Sequence, residues 1–313
     1  MRSLRVEPDV AQYRRVEAEL WSSVGLVPTE RRVRLACTGT SVRVQDVGSG
    51  DPVLLLHGEL DAGATWAPLV GHLPGVRCLV IDRPGAGLSA PYPITATNLP
   101  RIASAFVADL LDGLGLCSAH VVASSFGGHL ALRSAAATPH RFRRMIQLGC
   151  PAFVTRPPAP ALLRLLTRSW ARTTLTALPP GPRAVRVLMR QLGHGNSLGR
   201  EGLAPAVLDY YLALLRHTDT RRHDGELIAE LVAGQARITL DDTVLAAVDV
   251  PTLWLWGADD TLAGPDVARR VANAMPDATL RVVVGAGHLP WLDDPEGMAT
   301  AALDFLNAAD VRS

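Results

Sequence analysis

Short apolar runs bounded by turn residues recur along most of the chain. Runs of this length and continuity are typical of parallel β-strands that are buried on both faces of a sheet. Between them, apolar residues recur every three or four positions, which predicts helices. The six predicted strands have the sequences PVLLLHG, RCLVID, AHVVASS, RMIQLGC, TLWLWG and LRVVVG. This alternation predicts a doubly wound, mostly parallel α/β sheet.

The chain before these strands has a different pattern. Residues 8–26 carry apolar side chains at helical spacing, so we predict an accessory helix within residues 1–30 that packs on the main body. The segments RRVRLAC and TSVRVQDVG then alternate apolar and polar residues, which predicts an antiparallel hairpin at a sheet edge. The helices predicted between the strands cover residues 65–73, 98–114, 126–137, 265–275 and 295–308.

One long segment interrupts the alternation. Residues 153–248 contain no convincing strand but do contain helical stretches such as PALLRLLTRSWA and LAPAVLDYYLALLRH. Helices inserted between two strands must lie outside the sheet, most simply over the carboxyl ends of the strands, where ligands bind in such folds. We therefore predict a helical cap of residues 153–248 on a core formed by residues 31–152 and 249–313.

Composition narrows the chemistry. A chain with 48% hydrophobic and 19% charged residues is globular. Its 31 basic and 30 acidic residues leave a net charge of +1, so no nucleic-acid surface is indicated. None of the basic residues is lysine, which excludes a lysine Schiff base, a lysine general base and a P-loop lysine.

The cysteines and the absence of long apolar runs bear on location. The four cysteines have no C-x-x-C spacing, and three of them lie in or beside apolar, strand-like runs, which is typical of small buried residues in a reducing compartment. No apolar run approaches the length of a membrane span. We expect a cytoplasmic protein, and the sequence leaves its oligomeric state open.

A nucleophile elbow is predicted at Ser125. The apolar run AHVVASS passes directly into a helical pattern through Ala123, Ser125 and Gly127, a small-x-Ser-x-Gly arrangement. A tight strand-to-helix turn of this kind exposes the serine hydroxyl beyond the sheet, and its crowded backbone requires small flanking residues. Ser124 has the wrong spacing to Gly127 and is expected to pack behind the turn.

The chain resembles the α/β-hydrolase superfamily, and in particular its capped serine hydrolases, over residues 31–310. In that family a nucleophile, an acid after a late strand and a histidine after the last strand follow in this order. The motifs LWLWGADD and VVVGAGHLPWLDDP match it, and the resemblance assigns Ser125 as nucleophile, Asp260 as the orienting acid and His288 as general base. Asp259 competes with Asp260 for the acid role, which family spacing gives to Asp260.

Two further motifs resemble the family. LLLHGELDAGATW resembles its oxyanion loop, which implies that the backbone N–H groups of Glu59 and Phe126 form the oxyanion hole. IDRPGAGLS resembles a tight family turn whose Asp82 and Arg83 we interpret as structural. The residues expected to contact substrate are Trp66, Leu60 and Leu289.

The remaining histidines and the Glu59 side chain are ambiguous. We interpret His57 as structural, His129 as a core residue and His194 as part of a cap turn, and no cluster has metal-ligand spacing. A carboxylate at Glu59 would repel a developing oxyanion unless it is turned away, paired or protonated. It either points away from the site or receives a cationic or hydroxylated substrate group.

The resemblance implies a hydrolase that needs no cofactor and cleaves a small ester, thioester or lactone, or a C–C bond next to a ketone, through an acyl-enzyme. A serine nucleophile argues against dehalogenase and epoxide-hydrolase chemistry. Two alternatives stay open, namely a non-hydrolytic acyl transferase or cyclase, and a ligand receptor on the same fold.

Overall fold

The computed structural model describes residues 8–154, 180–195 and 203–308, which build an eight-stranded sheet with helices on both faces. The strands are β1 (Thr29–Arg34), β2 (Ser41–Gly48), β3 (Asp51–Leu56), β4 (Val76–Asp82), β5 (Ala119–Ser124), β6 (Phe142–Leu148), β7 (Thr252–Gly257) and β8 (Ala278–Val283). The hairpin and all six predicted apolar strands are therefore confirmed.

The described helices confirm the predicted alternation. Those of the core are α1 (Val10–Ser23), α2 (Ala67–Val70), α3 (Leu99–Leu114), α4 (Ser125–Ala137), α10 (Pro265–Asn273), α11 (Pro290–Asp293) and α12 (Pro295–Leu306). Those between β6 and β7 are α5 (Pro182–Gln191), α6 (Pro205–His217), α7 (Thr220–Ala233), α8 (Gln235–Ile238) and α9 (Asp242–Ala246). The predicted helix 65–73 is a 3-10 turn (Gly63–Trp66) followed by the single turn of α2.

The sheet order brings the ends of β3 and β5 together. The order is β1-β2-β4-β3-β5-β6-β7-β8, with β2 antiparallel to both of its neighbours, β1 and β4, and all other neighbouring pairs parallel. Leu56, the last residue of β3, pairs with Ala123 near the end of β5. The loop after β3 and the turn after β5 therefore leave the sheet side by side, which is where parallel sheets bind ligands.

Burial follows from the position of each strand in the sheet. Along β3, Leu54 and Leu56 pack into one hydrophobic core, while Val53 and Leu55 pack into the core on the other face. The expectation of burial on both faces is wrong for β8, whose residues alternate between partly buried and exposed. The reason is that β8 is an edge strand, which the apolar run LRVVVG does not reveal.

The N-terminal helix packs against the helices between β6 and β7 as well as against the sheet. The rings of Tyr13 in α1 and Tyr210 in α6 lie 6.2 Å apart. The buried Glu17 of α1 forms an ion pair of 2.6 Å with Arg43 of β2. The helix of LAPAVLDYYLALLRH is confirmed as α6, whereas PALLRLLTRSWA lies outside the described residues. The cap boundaries at 153 and 248 stay a prediction.

Within residues 8–154, 180–195 and 203–308, no helix is both long enough and apolar enough to cross a bilayer.

Candidate active site

Ser125 occupies a strained turn at the junction of β5 and α4. Its φ of +51° lies in the left-handed region, which a residue with a Cβ rarely adopts. Gly127 is needed because a Cβ there would collide with the backbone carbonyl of Leu56. Ala123 is buried near the end of β5 and supplies the small side chain that such a turn requires. The turn holds the Ser125 hydroxyl beyond the end of the sheet.

Asp260 and His288 meet across the loops that follow β7 and β8. Asp260 Oδ2 accepts hydrogen bonds from His288 Nδ1 and from the backbone N–H of Cys150, both at 2.9 Å. Its Oδ1 accepts from the N–H of Leu262 at 2.9 Å. Both oxygens of Asp260 are thus held in place, whereas Asp259 is exposed. The acid that contacts the histidine is the one that the sequence favoured.

The contact between Asp260 and His288 shifts the pKa values of both side chains. Burial favours the neutral imidazole, but the charge and the hydrogen bond of Asp260, with a further contribution from the charge of Glu59, outweigh it and raise the pKa of His288. Burial likewise opposes ionisation of Asp260, but the charge and hydrogen bond of His288 leave the pKa of the acid below its ordinary value. His288 Nε2 is left as the nitrogen that can accept a proton.

The Ser125 hydroxyl is hydrogen-bonded to a carboxylate. Its Oγ donates to Glu59 Oε2 at 3.2 Å and makes no hydrogen bond to His288, although both side chains line the same cavity. Burial raises the pKa of Glu59, while the charge of Arg83 and the residue's own backbone N–H oppose the shift. The Glu59 carboxylate therefore occupies the Ser125 hydroxyl that the proposed base, His288, would have to deprotonate.

The oxyanion loop approaches the elbow closely. A Cβ placed on Gly58 would lie 2.7 Å from Ser125 Cβ, 3.2 Å from its Oγ and 3.8 Å from the backbone nitrogen of Phe126. Only glycine allows this approach. The loop after β3, which carries Glu59, and the first turn of α4, which carries Phe126, thus lie on either side of the Ser125 hydroxyl. This placement is the one expected if their N–H groups form the oxyanion hole.

A cavity of about 490 Å³ opens over these groups. Leu60 and Leu289 line it, and their role as substrate contacts stays a prediction. Trp66 does not: its side chain is fully buried and stacks on Trp291 with 4.1 Å between ring centroids. The prediction for Trp66 is therefore corrected, because its ring packs on Trp291 of α11 and is part of the hydrophobic core.

Sequence reasoning missed a second carboxyl group in the cavity wall. Asp61 is 3% exposed and accepts hydrogen bonds from the N–H of Ala62 at 2.8 Å and from Tyr211 Oη at 3.2 Å. Burial, opposed by these hydrogen bonds, raises the pKa of Asp61 to about 7. The signal available in the sequence was two acidic residues, Glu59 and Asp61, within one loop next to the elbow.

The other histidines have structural surroundings. His57 accepts a hydrogen bond from the N–H of Arg83 at 3.2 Å, and burial lowers its pKa. Burial also lowers the pKa of His129, to about 3. His194 pairs with Asp293 at 2.8 Å and supports the loop that carries His288.

Comparisons with known proteins agree with this geometry. Residues 51–295 match the alpha/beta hydrolase fold family. A 2-hydroxy-6-oxononadienedioate/2-hydroxy-6-oxononatrienedioate hydrolase from Cupriavidus pinatubonensis is 26% identical over 89% of this chain and 95% of that relative. A 2-hydroxy-6-oxo-2,4-heptadienoate hydrolase from Pseudomonas putida is 26% identical over 87% of the chain and 95% of that relative.

Solved structures show the same fold. A carboxylesterase from Bacillus subtilis superposes with a TM-score of 0.74 at 20% identity, covering 96% of this chain and 99% of that one. A 2-hydroxy-6-oxo-6-phenylhexa-2,4-dienoate hydrolase from Rhodococcus has a TM-score of 0.75 at 19% identity, covering 90% of this chain and all of that one. With its sheet, its serine elbow and its acid–histidine pair, the chain belongs to the alpha/beta hydrolase fold family and is a hydrolase of that family.

Proposed function

We propose that the protein hydrolyses a small ester, thioester or lactone through an acyl-enzyme on Ser125, with His288 as general base and Asp260 as the acid that orients it. The hydrogen bond of 2.9 Å between His288 Nδ1 and Asp260 Oδ2, next to a serine in a strained elbow, carries this proposal. It holds the imidazole in the tautomer whose Nε2 can accept a proton.

Each step of the reaction has a group to perform it. His288 Nε2 takes the proton of Ser125 as Oγ attacks the carbonyl carbon, and the N–H groups of Glu59 and Phe126 donate to the oxyanion. His288 then gives the proton to the leaving group. Water, deprotonated by the same imidazole, cleaves the acyl-enzyme. Before the first step, the Ser125 hydroxyl must break its hydrogen bond to Glu59 and form one to His288 Nε2.

The cavity favours substrates that are neutral or cationic near the scissile carbonyl. Glu59 and Asp61 both line it, and among the lining residues that the structure describes there is no arginine. A substrate carboxylate beside Glu59 would add repulsion in a site of low dielectric constant, whereas an ammonium or hydroxyl group could donate to this carboxylate. Most of the wall is apolar, which suits an uncharged acyl chain.

Cleavage of a C–C bond next to a ketone is the second candidate, because the relatives at 26% identity are named for 2-hydroxy-6-oxo acids. A dioate, as in the first of those names, carries two carboxylates. The position of the Glu59 carboxylate favours the ester or lactone over such a substrate.

A panel of p-nitrophenyl esters, thioesters and a 2-hydroxy-6-oxodienoate tests the proposal, with Ser125→Ala as control. Ester hydrolysis by the native chain that falls at least about a thousand-fold in Ser125→Ala supports it. Preferential turnover of the dienoate favours the second candidate. Binding of these compounds without turnover by the native chain contradicts both candidates and favours a receptor, and transfer to added alcohols in place of water favours a transferase.

A cytoplasmic location belongs to the same proposal. All four cysteines are free, including the exposed Cys117, which suits a reducing compartment. Cell fractionation with the native chain tests it.

A further inference from the structure

One face of helix α7 is seated on the turn after β4. Residues at positions i, i+3 and i+4 of a helix lie on the same side, and three such side chains in the first turn of α7 bond to the turn. The bonds run from Gly87 N–H to Thr220 Oγ1 (2.9 Å), from His223 Nδ1 to Gly85 O (2.9 Å) and from Arg83 Nη2 to Asp224 Oδ2 (2.5 Å).

Asp224 also reaches the oxyanion loop. Its Oδ2 accepts a second hydrogen bond, from the backbone N–H of Leu60, at 2.5 Å. Its partner Arg83 donates from Nε to the carbonyl of Gly58 at 3.0 Å. The two residues thus hold the loop on both sides of Glu59, whose N–H is the oxyanion donor of the proposed function.

The loop needs such support because its backbone is strained. Leu60 has a φ of +56°, a left-handed conformation that is strained for a non-glycine residue and persists only where its surroundings impose it. The N–H of Leu60 can bond to Asp224 in this conformation. Without that bond, the loop is free to relax and to turn the N–H of Glu59 away from the carbonyl.

The energetics of the Arg83–Asp224 ion pair argue that the pair does more than stabilise the fold. The side chains of Arg83 and Asp224 are 3% and 1% exposed, and Arg83 Nη1 and Asp224 Oδ1 have no hydrogen-bond partner among the described residues. In a buried ion pair with unsatisfied atoms, the attraction between the charges offsets the free-energy cost of desolvation poorly. Apolar residues of similar size often stabilise a fold as well or better.

We propose that Asp224 of α7, acting with Arg83, is a positioning residue that sets the oxyanion loop. This inference rests on the proposed function. Asp224 and Leu60 are separated by 164 positions in the sequence, so the helix between β6 and β7 contributes to the reaction without touching the scissile bond.

The test compares three variants by the rate of phosphonylation with a fluorophosphonate, by kcat and KM on a p-nitrophenyl ester, and by thermal unfolding. The double variant Arg83→Met, Asp224→Leu removes both loop contacts with apolar residues of similar size. Asp224→Asn keeps an acceptor for the N–H of Leu60. Thr220→Val removes a contact of the same helix that does not reach the oxyanion loop.

We expect the double variant to unfold at or near the native temperature and to lose about a hundred-fold in phosphonylation rate and in kcat, with KM changed less than about three-fold. Asp224→Asn should recover to within about ten-fold of the native rate, and Thr220→Val should react at the native rate. A double variant that reacts at the native rate overturns the inference. So does a loss confined to KM, or rates that simply follow the unfolding temperatures across the three variants. A native chain that is not phosphonylated on Ser125 contradicts the proposed function itself.

Discussion

Glu59 places a carboxylate oxygen 3.2 Å from the hydroxyl oxygen of Ser125. The hydroxyl of a nucleophilic serine has one proton to donate, and here Glu59 accepts it in place of His288. A tetrahedral intermediate on Ser125 would develop its negative charge near this carboxylate, whose charge also adds to the effect of Asp260 in raising the pKa of His288. Glu59 therefore opposes the proposed reaction unless a substrate group pairs with its carboxylate.

Replacing Glu59 with Gln should speed the hydrolysis of neutral esters at pH 7, by roughly three- to ten-fold, because a charge that repels the oxyanion is removed. The general base works only when it is deprotonated, so kcat/KM rises with pH through the pKa of His288. Glu59→Gln removes a charge that raises this pKa, and the rising limb should move to lower pH. Stopped-flow pH profiles measure both effects.

Asp304→Asn, on the outer helix α12, serves as the matched control for loss of one acidic charge. Glu59→Gln with an unchanged pH profile and unchanged rate would show that the side chain has no influence on the reaction.

Substrate charge should determine the direction of the Glu59→Gln effect. A choline ester and its neutral isostere, the 3,3-dimethylbutyl ester of the same acid, differ only in charge. We expect the native chain to prefer the choline ester by about ten-fold in kcat/KM and Glu59→Gln to lose most of this preference. Equal preference in both proteins would indicate that the cavity does not discriminate by charge at this carboxylate.

Asp61→Asn should change the pH dependence of stability. Burial raises the pKa of Asp61 to about 7 in the folded chain, above its ordinary value, so the acid stabilises the fold in its protonated form. This contribution is complete below about pH 4 and is lost as pH rises towards 7. The asparagine of the variant cannot ionise, so the variant should gain stability relative to the native chain over that interval.

Urea unfolding at pH 4, 5, 6 and 7 measures this difference, with Asp266→Asn as an exposed control. A difference between variant and native chain that stays constant across the interval would contradict the buried, protonated state of Asp61.

Gly58→Ala should impair catalysis more than folding. The added Cβ would lie 2.7 Å from Ser125 Cβ, so either the loop or the strained elbow must move. A displacement of about 1 Å at a reacting group costs about a hundred-fold in rate. Gly264→Ala is the control, because a Cβ at that helix N-terminus meets no atom within 4 Å. Comparable kcat values for the two variants would show that the approach of Gly58 is not critical.

The sequence predicted the sheet and the residues that form the site because both follow local patterns. Continuous apolar runs identify strands; Ser125 follows such a run directly, and Asp260 and His288 lie in the loops that follow two others. The position of β8 at an edge was not predictable in this way, since edge and central strands can share the run LRVVVG and differ only in their neighbours.

Side-chain contacts between distant segments were the part that the sequence could not supply. Nothing near Asp224 or Tyr211 indicates that these residues reach Leu60 and Asp61, because each contact depends on how α6 and α7 seat on the core. Trp66 was assigned to the cavity from its position in a family motif, but Trp291 covers it. A motif places the backbone of a site more reliably than the direction of its side chains.

The most direct test of the central claim is intact-protein and peptide mass spectrometry after reaction with a fluorophosphonate, performed on the native chain, Ser125→Ala and Asp260→Asn. The account predicts one adduct, on Ser125, that is absent from Ser125→Ala and forms at least about a hundred-fold more slowly in Asp260→Asn. No adduct on the folded native chain, or an adduct on another residue, would contradict it.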